Sequence, residues 1–211
     1  MPTVTTFPNG QTLTSSALTD DSLFTILQPL TCGMIGLAVS DPARNYMVRK
    51  AWQTAGAPAW KIDENVISIQ CTPKSNWYDK VRDVVSTANN DPTKVTTNIE
   101  YTRVWSVRFI GYGPGIFDMI RLIRTALLLS WTHDTLAQSN LYLMTELETP
   151  SRNPEQFEGQ WWQRTDLGIE LYEQVNETLV APSIASVEIV VETKDGIQND
   201  FVVDFPVVIA P

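Results

Sequence analysis

A glycine-rich segment, Gly111-Tyr112-Gly113-Pro114-Gly115, is the first candidate for chemistry in this sequence. Glycine turns between a strand and a helix hold nucleotide phosphates in many proteins, through backbone N–H groups at the start of the helix. The dinucleotide pattern needs a further glycine or alanine at a fixed spacing, and Ile116 or Asp118 stands there instead. Asp118 would repel a pyrophosphate, Pro114 lacks an N–H group, and no P-loop lysine follows. The segment therefore predicts a structural corner and no nucleotide cofactor.

Histidine and cysteine offer no catalytic or metal-binding set. His133 is the only histidine, which excludes a site with several histidine ligands. Its neighbour Asp134 does not complete a triad, because no serine has the sequence context of a nucleophile turn. Cys32 and Cys71 are far apart in 211 residues, so they indicate neither a disulfide framework nor a zinc site. We expect no metal ion.

Acidic and aromatic residues leave a carbohydrate-directed function open. Paired carboxylates can hydrolyse glycosides. The second half of the chain has six candidate acids, but they are equally typical of a solvated acidic face: Glu146, Glu148, Glu155, Glu158, Asp166 and Glu170. Trp161 and Trp162 could stack on a sugar, but neighbours in a strand point to opposite faces. One tryptophan is then expected in the core and the other at an interface. We predict that the protein is not an enzyme.

Composition restricts the remaining classes of function. Hydrophobic residues make up 43% of the chain and charged residues 18%, which is enough apolar material for a core. The net charge of −9 disfavours a protein that grips nucleic acid, but it suits a surface past which DNA slides. The N-terminus lacks the pattern of a signal peptide, and no apolar stretch is long enough to span a bilayer. We expect a soluble protein made in a reducing cytoplasm.

The first half of the chain alternates between irregular and periodic segments. Residues 1–16 are rich in Thr, Ser, Pro and Asn, which predicts a flexible N-terminal arm. A helix is predicted from Asp21 to Gln28 and is expected to end at Pro29. Strands are predicted at 45–52 and 65–72. Residues 77–87 have helical spacing, and 88–94 have the composition of a turn.

The glycine corner joins the two clearest elements. Before it, five apolar residues fall on alternate positions, which predicts a long half-buried strand: Ile99, Tyr101, Trp105, Val107 and Phe109. After it, apolar residues recur at helical spacing: Ile116, Ile120, Ile123 and Leu127. A strand at 140–147, a polar loop and an alternating strand through Leu167, Ile169 and Leu171 follow. A closing hairpin is predicted to turn at Lys194-Asp195-Gly196.

This order of elements predicts an α+β fold. We expect a mostly antiparallel β-sheet with two or three helices packed on one face, plus a C-terminal β-hairpin extension. The predicted organisation is an arm at 1–16, a single α+β domain at 17–191, and a hairpin or arm at 192–211.

Five segments follow one another in a recognisable order: "WSVRFIGYGP", "GIFDMIRLIRTALL", "LYLMTEL", "PSRNPEQFEGQWWQR" and "DLGIELYEQV". This order resembles the neck and tail terminator proteins of tailed bacteriophages. In that family a strand ends in a Tyr-Gly-Pro corner that leads into a helix, and a later segment carries an aromatic residue and an arginine. The matching residues here are Tyr112, Gly113, Pro114, Trp161, Trp162 and Arg164. The resemblance covers 97–191 well and 17–72 in the order of elements.

The resemblance implies a structural virion protein of the neck or tail, assembled in the host cytoplasm. It implies a homo-oligomeric ring, typically hexameric, that caps the tail tube and joins it to the head-completion or adaptor protein, leaving a channel through which DNA passes. The tail tube protein would be one partner, the sheath protein is a further option, and no membrane is involved. A head-side adaptor or stopper of the neck is the nearest alternative, and a carbohydrate-binding module is a more distant one.

Overall fold

The computed structural model describes residues 2–51, 60–157 and 159–183. The helices in these residues are α1 (Asp20–Met34), α2 (Arg44–Met47), α3 (Ile116–Leu127) and α4 (Ser130–Ala137). The strands are β1 (Thr3–Thr6), β2 (Thr12–Ser15), β3 (Val48–Lys50), β4 (Val66–Lys74), β5 (Arg82–Ala88), β6 (Lys94–Tyr112), β7 (Leu141–Leu143), β8 (Ser151–Arg152), β9 (Glu155–Phe157), β10 (Gln160–Trp162) and β11 (Arg164–Pro182). The chain is an α+β protein, as predicted. The predicted hairpin at 192–211 lies outside the described residues.

The fold divides into two compact units. The larger unit comprises residues 18–81 and 101–175, and its sheet has the strand order β11-β6-β4-β3, with β7 and β8 also pairing with β11. Strand β4 runs antiparallel to β6, from Val66 opposite Tyr112 to Lys74 opposite Val104. Strands β3 and β4 are parallel. The long strand predicted before the glycine corner is therefore the centre of this sheet.

The core of the larger unit combines strand and helix residues at the predicted spacings. Trp105, Val107 and Phe109 are buried on β6. The helical set on α3 is also buried, together with residues of α1: Ile116, Ile120, Ile123, Leu127, Leu23, Leu27 and Leu30. Each fully buried Leu or Ile side chain stabilises the fold by about 1.5–3 kcal/mol. This shared core fixes where β6 ends and α3 begins.

A buried carboxylate lies within this core. Glu173 on β11 is 1% exposed, and it accepts hydrogen bonds from Nε1 of Trp105 at 2.6 Å and from the backbone N of Leu18 at 2.7 Å. Arg103 donates to the same carboxylate through Nε at 2.9 Å. Its guanidinium carbon lies 4.6 Å from the centroid of the Trp105 ring. The charge of Glu173 is therefore both paired and hydrogen-bonded, as a buried charge must be.

The predicted end of the first helix was wrong. Helix α1 continues past Pro29 to Met34. Proline removes one backbone hydrogen bond from a helix, but Leu30, Cys32 and Met34 beyond it are buried in the core. The free energy gained by burying these side chains exceeds the cost of the one missing backbone hydrogen bond. At the other end, the side chain of Thr19 caps the helix by accepting a hydrogen bond from the N of Ser22.

Four further segments differ from the predictions. Residues 77–87 form a short 3-10 turn and then β5, because β5 pairs with β6 across the turn at 89–93. Residues 44–47 are helical, so among the described residues of the strand predicted at 45–52 only Val48–Lys50 is extended. The strand predicted at 140–147 is limited to Leu141–Leu143, and the predicted polar loop contains β8, β9 and the start of β10.

The smaller unit contains the described residues 2–17, 82–100 and 176–183. Its strand order is β1-β2-β11-β6-β5, and β2 pairs antiparallel with β1 and β11. None of these described residues is buried. Part of the predicted arm at 1–16 is therefore extended strand, held by backbone pairing although it has no apolar period. The boundaries proposed for the arm and the domain stay predictions.

Candidate assembly site

The glycine corner is held by hydrogen bonds within the larger unit. Gly113 has a φ of +119°, and a Cβ atom there would lie 2.4 Å from the backbone O of Glu64 and 2.5 Å from Oδ1 of Asn65. Its N–H donates to the O of Gln163 at 3.1 Å, and the N–H of Gly115 donates to Oδ1 of Asn65 at 3.0 Å. These are two of the donors that a phosphate cradle would use. The geometry is that of a structural corner.

Charged and polar side chains converge beside this corner. The hydroxyl of Tyr112 donates to Oε2 of Glu155 at 2.9 Å, and Arg164 donates to the same oxygen through NH1 at 3.1 Å. Arg164 also makes a bidentate pair with Asp166, through Nε at 2.9 Å and NH2 at 3.0 Å. Asn153 donates to Asp166 at 3.1 Å from the chain between β8 and β9. Bidentate arginine–carboxylate pairs fix the orientation of both groups.

The electrostatics of this group favour the neutral tyrosine and the charged arginine. Burial raises the pKa of Tyr112 to about 12, and the hydrogen bond from its hydroxyl to Glu155 acts in the same direction. Hydrogen bonding to Asp166 raises the pKa of Arg164 above its usual value. Neither group is poised for proton transfer near neutral pH. The arrangement is suited to a fixed surface rather than to acid–base catalysis.

Aromatic rings extend the same group. The ring of Trp60 lies 5.6 Å from that of Tyr112 and 6.5 Å, edge to face, from that of Trp162. The guanidinium carbon of Arg49 lies 5.8 Å from the centroid of Trp60 and 4.6 Å from that of Tyr46. Aromatic residues and arginine are the side chains most enriched at the energetic centres of protein interfaces. We define the corner cluster as Trp60, Tyr112, Glu155, Trp162, Arg164 and Asp166.

The structure brings together most of the residues singled out in the sequence. Tyr112, Trp162 and Arg164 are members of the corner cluster, and Gly113 donates its N–H to Gln163, which lies between Trp162 and Arg164 in the chain. Pro114 is exposed at the turn itself. Trp161, by contrast, is 66% exposed, whereas its neighbour Trp162 is half-buried. The assembly role of these residues stays a prediction.

Sequence reasoning missed Trp60 and Asn65 as parts of this site. Trp60 is 52 residues from Tyr112 in the chain, and Asn65 is 50 residues from Gly115. The only local signal was that Asn65 directly precedes an apolar strand, which is a frequent place for a side chain that bonds to backbone.

Three of the remaining acids lie in other surroundings, and Glu158 lies outside the described residues. Glu146, Glu148 and Glu170 line an open groove of about 900 Å³ in the larger unit, together with Lys74 and Arg108. Lys74 forms an ion pair with Glu170. Within residues 2–51, 60–157 and 159–183 no group of three metal-ligating side chains is found. The groove and the acids around it supply no arrangement to which we assign catalysis.

The chain matches one known family. A sequence model of the family described as phage neck terminator protein matches residues 21–199. The matched range contains the glycine corner and every residue of the corner cluster. No curated protein matches the chain. Across the described part of the chain, no helix has both the length and the apolar character needed to cross a membrane.

Proposed function

Because this chain belongs to the phage neck terminator protein family, we propose that it forms a closed ring on the last disc of a phage tail tube. The family role is structural, at the neck of the virion. In the proposed arrangement the ring ends tube growth and presents its opposite face to the head-completion protein. DNA passes through the ring without being bound or cut.

The observation that carries this proposal is the preformed corner cluster. Tyr112, Glu155, Arg164 and Asp166 are fixed to one another by ion pairs and hydrogen bonds before any partner binds, and ring contacts add Trp60 and Trp162. Preformed side chains lose little conformational entropy on association, so they favour tight assembly. Tyr112 and Arg164 are only partly buried, which leaves aromatic and cationic surface for a neighbour.

The net charge of −9 supports passage of DNA rather than binding. A negative wall repels phosphates, so a genome can move past it without adhering. A ring of several acidic subunits would strengthen this effect.

Measurement of mass by light scattering, combined with negative-stain imaging, tests the ring directly. We expect annular particles whose mass is a whole multiple of 23.7 kDa, or annular caps at the ends of added tail tubes. A protein that remains a compact monomer even when mixed with tail tubes would overturn the proposal.

Deletion of the gene separates the terminator from the head-side adaptor or stopper. Loss of a terminator should give overlong or unjoined tails, because nothing ends tube growth. Loss of a stopper should instead give heads that leak DNA. Leaking heads with tails of normal length would favour the adaptor.

A further inference from the structure

The sheet of the smaller unit ends in two open edges. Strand β1 pairs only with β2, and β5 pairs only with β6, among the strands that the structure describes. Each strand therefore presents a row of backbone N–H and C=O groups on its outer side. Such edges bind further strands, because main-chain hydrogen bonds can continue the sheet.

These two edges carry little of the charge that natural proteins use to protect exposed edges. Strand β1 has the sequence TVTT, without a charged residue or proline. Strand β5 begins with Arg82 and Asp83, and its last five residues, VVSTA, are uncharged. Thr and Val also have a high preference for extended structure. The composition of both edges suits pairing with another strand.

Both faces of β5 are exposed as well. Val84 is 55% exposed and Val85 is 52% exposed, although successive side chains of a strand point to opposite faces. Val4 on β1 is 62% exposed. No described residue of the smaller unit is buried, so the unit gains little from removal of apolar surface within one chain. Contact with another chain would supply that gain.

One chain carries an outer edge on β1 and another on β5, so a second copy of this chain can supply a partner strand for each. Two copies, each with a net charge of −9, repel one another over most of their surface. Strand β1 carries no charge and β5 carries only Arg82 and Asp83, which are of opposite sign, so two copies can approach at these edges with less repulsion. A contact between different edges, β5 of one copy and β1 of the next, is heterologous, and repetition of a heterologous contact closes into a ring when the rotation allows.

We propose that β5 of one subunit pairs with β1 of the next, so that the small sheets join edge to edge around the ring. This inference rests on the proposed ring function and names the contact that would build it. The two edges that have no partner strand among the described residues are then satisfied in the assembly.

Cross-linking of assembled full-length protein tests the contact. The double variant Thr5→Cys/Val85→Cys places one thiol on each edge, and both positions are exposed. A short bis-maleimide should give a ladder of cross-linked multimers with this variant. Thr5→Cys alone and Val85→Cys alone should give no ladder. A matched control, Thr5→Cys/Val39→Cys, carries its second thiol at a residue that is 90% exposed and far along the chain from β5.

The native thiols interfere little with this experiment. Cys32 is buried, and burial raises the pKa of Cys71 to about 11, so both react slowly with maleimide at pH 7. The wild-type protein gives the background. Hydrogen exchange of the unmodified protein is a second measurement, and residues 82–88 should be protected in the ring relative to the dissociated subunit.

Each outcome decides the proposal. Efficient dimers from Val85→Cys alone would indicate that two β5 edges pair, which overturns the contact between different edges. Rings seen by light scattering without a ladder and without protection of 82–88 would overturn the contact but leave the proposed function. Absence of rings, even with tail tubes present, would overturn both.

Discussion

At the scale of single residues, Gly113 meets two separate constraints. Its φ of +119° is unfavourable for any residue with a side chain, and the place of its missing Cβ is occupied by Glu64 and Asn65. Backbone strain alone costs about 1–3 kcal/mol. A backbone oxygen cannot move aside as a flexible side chain can, so the steric cost adds to the strain.

We therefore expect Gly113→Ala to lower the free energy of unfolding by more than about 3 kcal/mol. Gly36→Ala is the matched control, because Gly36 has a φ of +79° and nothing lies within 4 Å of its Cβ position. Gly36→Ala introduces backbone strain without a steric clash, so it should lower the free energy of unfolding by about 1 kcal/mol. Urea unfolding of both variants measures the difference, and equal losses would contradict the steric argument.

Glu173 gives a second prediction at this scale. Glu173→Ala would leave Arg103 without its carboxylate partner, and removal of one member of a buried ion pair costs about 3–5 kcal/mol. Glu170→Ala, on the same strand, breaks a partly exposed pair with Lys74 and should cost at most about 1 kcal/mol. Thermal unfolding distinguishes them. Similar losses in the two variants would show that Glu173 contributes no more than a surface charge.

The ionisation of Tyr112 supplies a prediction on pH. Its folded-state pKa of about 12 is higher than the value of about 10 expected in the unfolded chain. The corresponding stabilisation is fully present below pH 10 and is lost as the pH rises through 12. Absorbance at 295 nm of wild type and Tyr112→Phe should differ little at pH 11, because Tyr112 is still neutral there. A midpoint for Tyr112 near 10 would contradict its burial against Glu155.

At the scale of secondary-structure elements, an N–H group at the start of helix α3 finds its hydrogen-bond acceptor in another segment of the chain. Gly115 has no side chain to cap the helix, and Asn65 accepts from its N–H instead. Asn65→Ala should cost about 1 kcal/mol, since capping groups contribute about 0.5–2 kcal/mol. Asn65→Asp keeps an acceptor and adds a negative charge near the helix N-terminus, so it should retain the stability. Equal destabilisation by both variants would argue against a capping role.

The elements differ in how far the sequence predicts them. Helix α3 and strand β6 were predicted because each buries one face, which leaves a clear apolar period. The predicted helix α1 was too short because a proline normally ends a helix. The burial of the residues after Pro29 cannot be read from the local sequence. Strand β5 was misread because Trp77, Val81 and Val84 happen to have helical spacing, although all three are exposed. A strand without a buried face leaves no period to detect.

At the scale of the whole molecule, the two units differ in what stabilises them. All buried residues of the described chain lie in the larger unit. Local opening is easiest where few apolar contacts must be broken. We expect amides at 94–100 on β6 to exchange faster than amides at 104–112 on the same strand. Hydrogen exchange of the dissociated subunit measures this, and uniform protection along β6 would contradict it.

The corner cluster also shows what a sequence alone leaves open. The Tyr-Gly-Pro corner and Arg164 were found from the motif, because they lie in short recognisable segments. Their partners were not found, since Glu155 is 43 residues from Tyr112 and its carboxylate is one of many in an acidic chain. Trp60 had no apolar pattern around it. The contacts of Tyr112 with Glu155 and Trp60 depend on the completed fold, which local spacing does not encode.

The missing side chain at Gly113 also has a consequence for how this gene can change over generations. Every single-nucleotide change of a glycine codon that replaces the residue adds a Cβ atom, and at this position that atom meets backbone. Gly111 is similarly confined, because a Cβ there would lie 2.3 Å from Ile116. We therefore expect the corner to drift more slowly than the surfaces around it. Distant homologues should therefore keep Gly111 and Gly113 even where the residues on their contact surfaces have all been replaced.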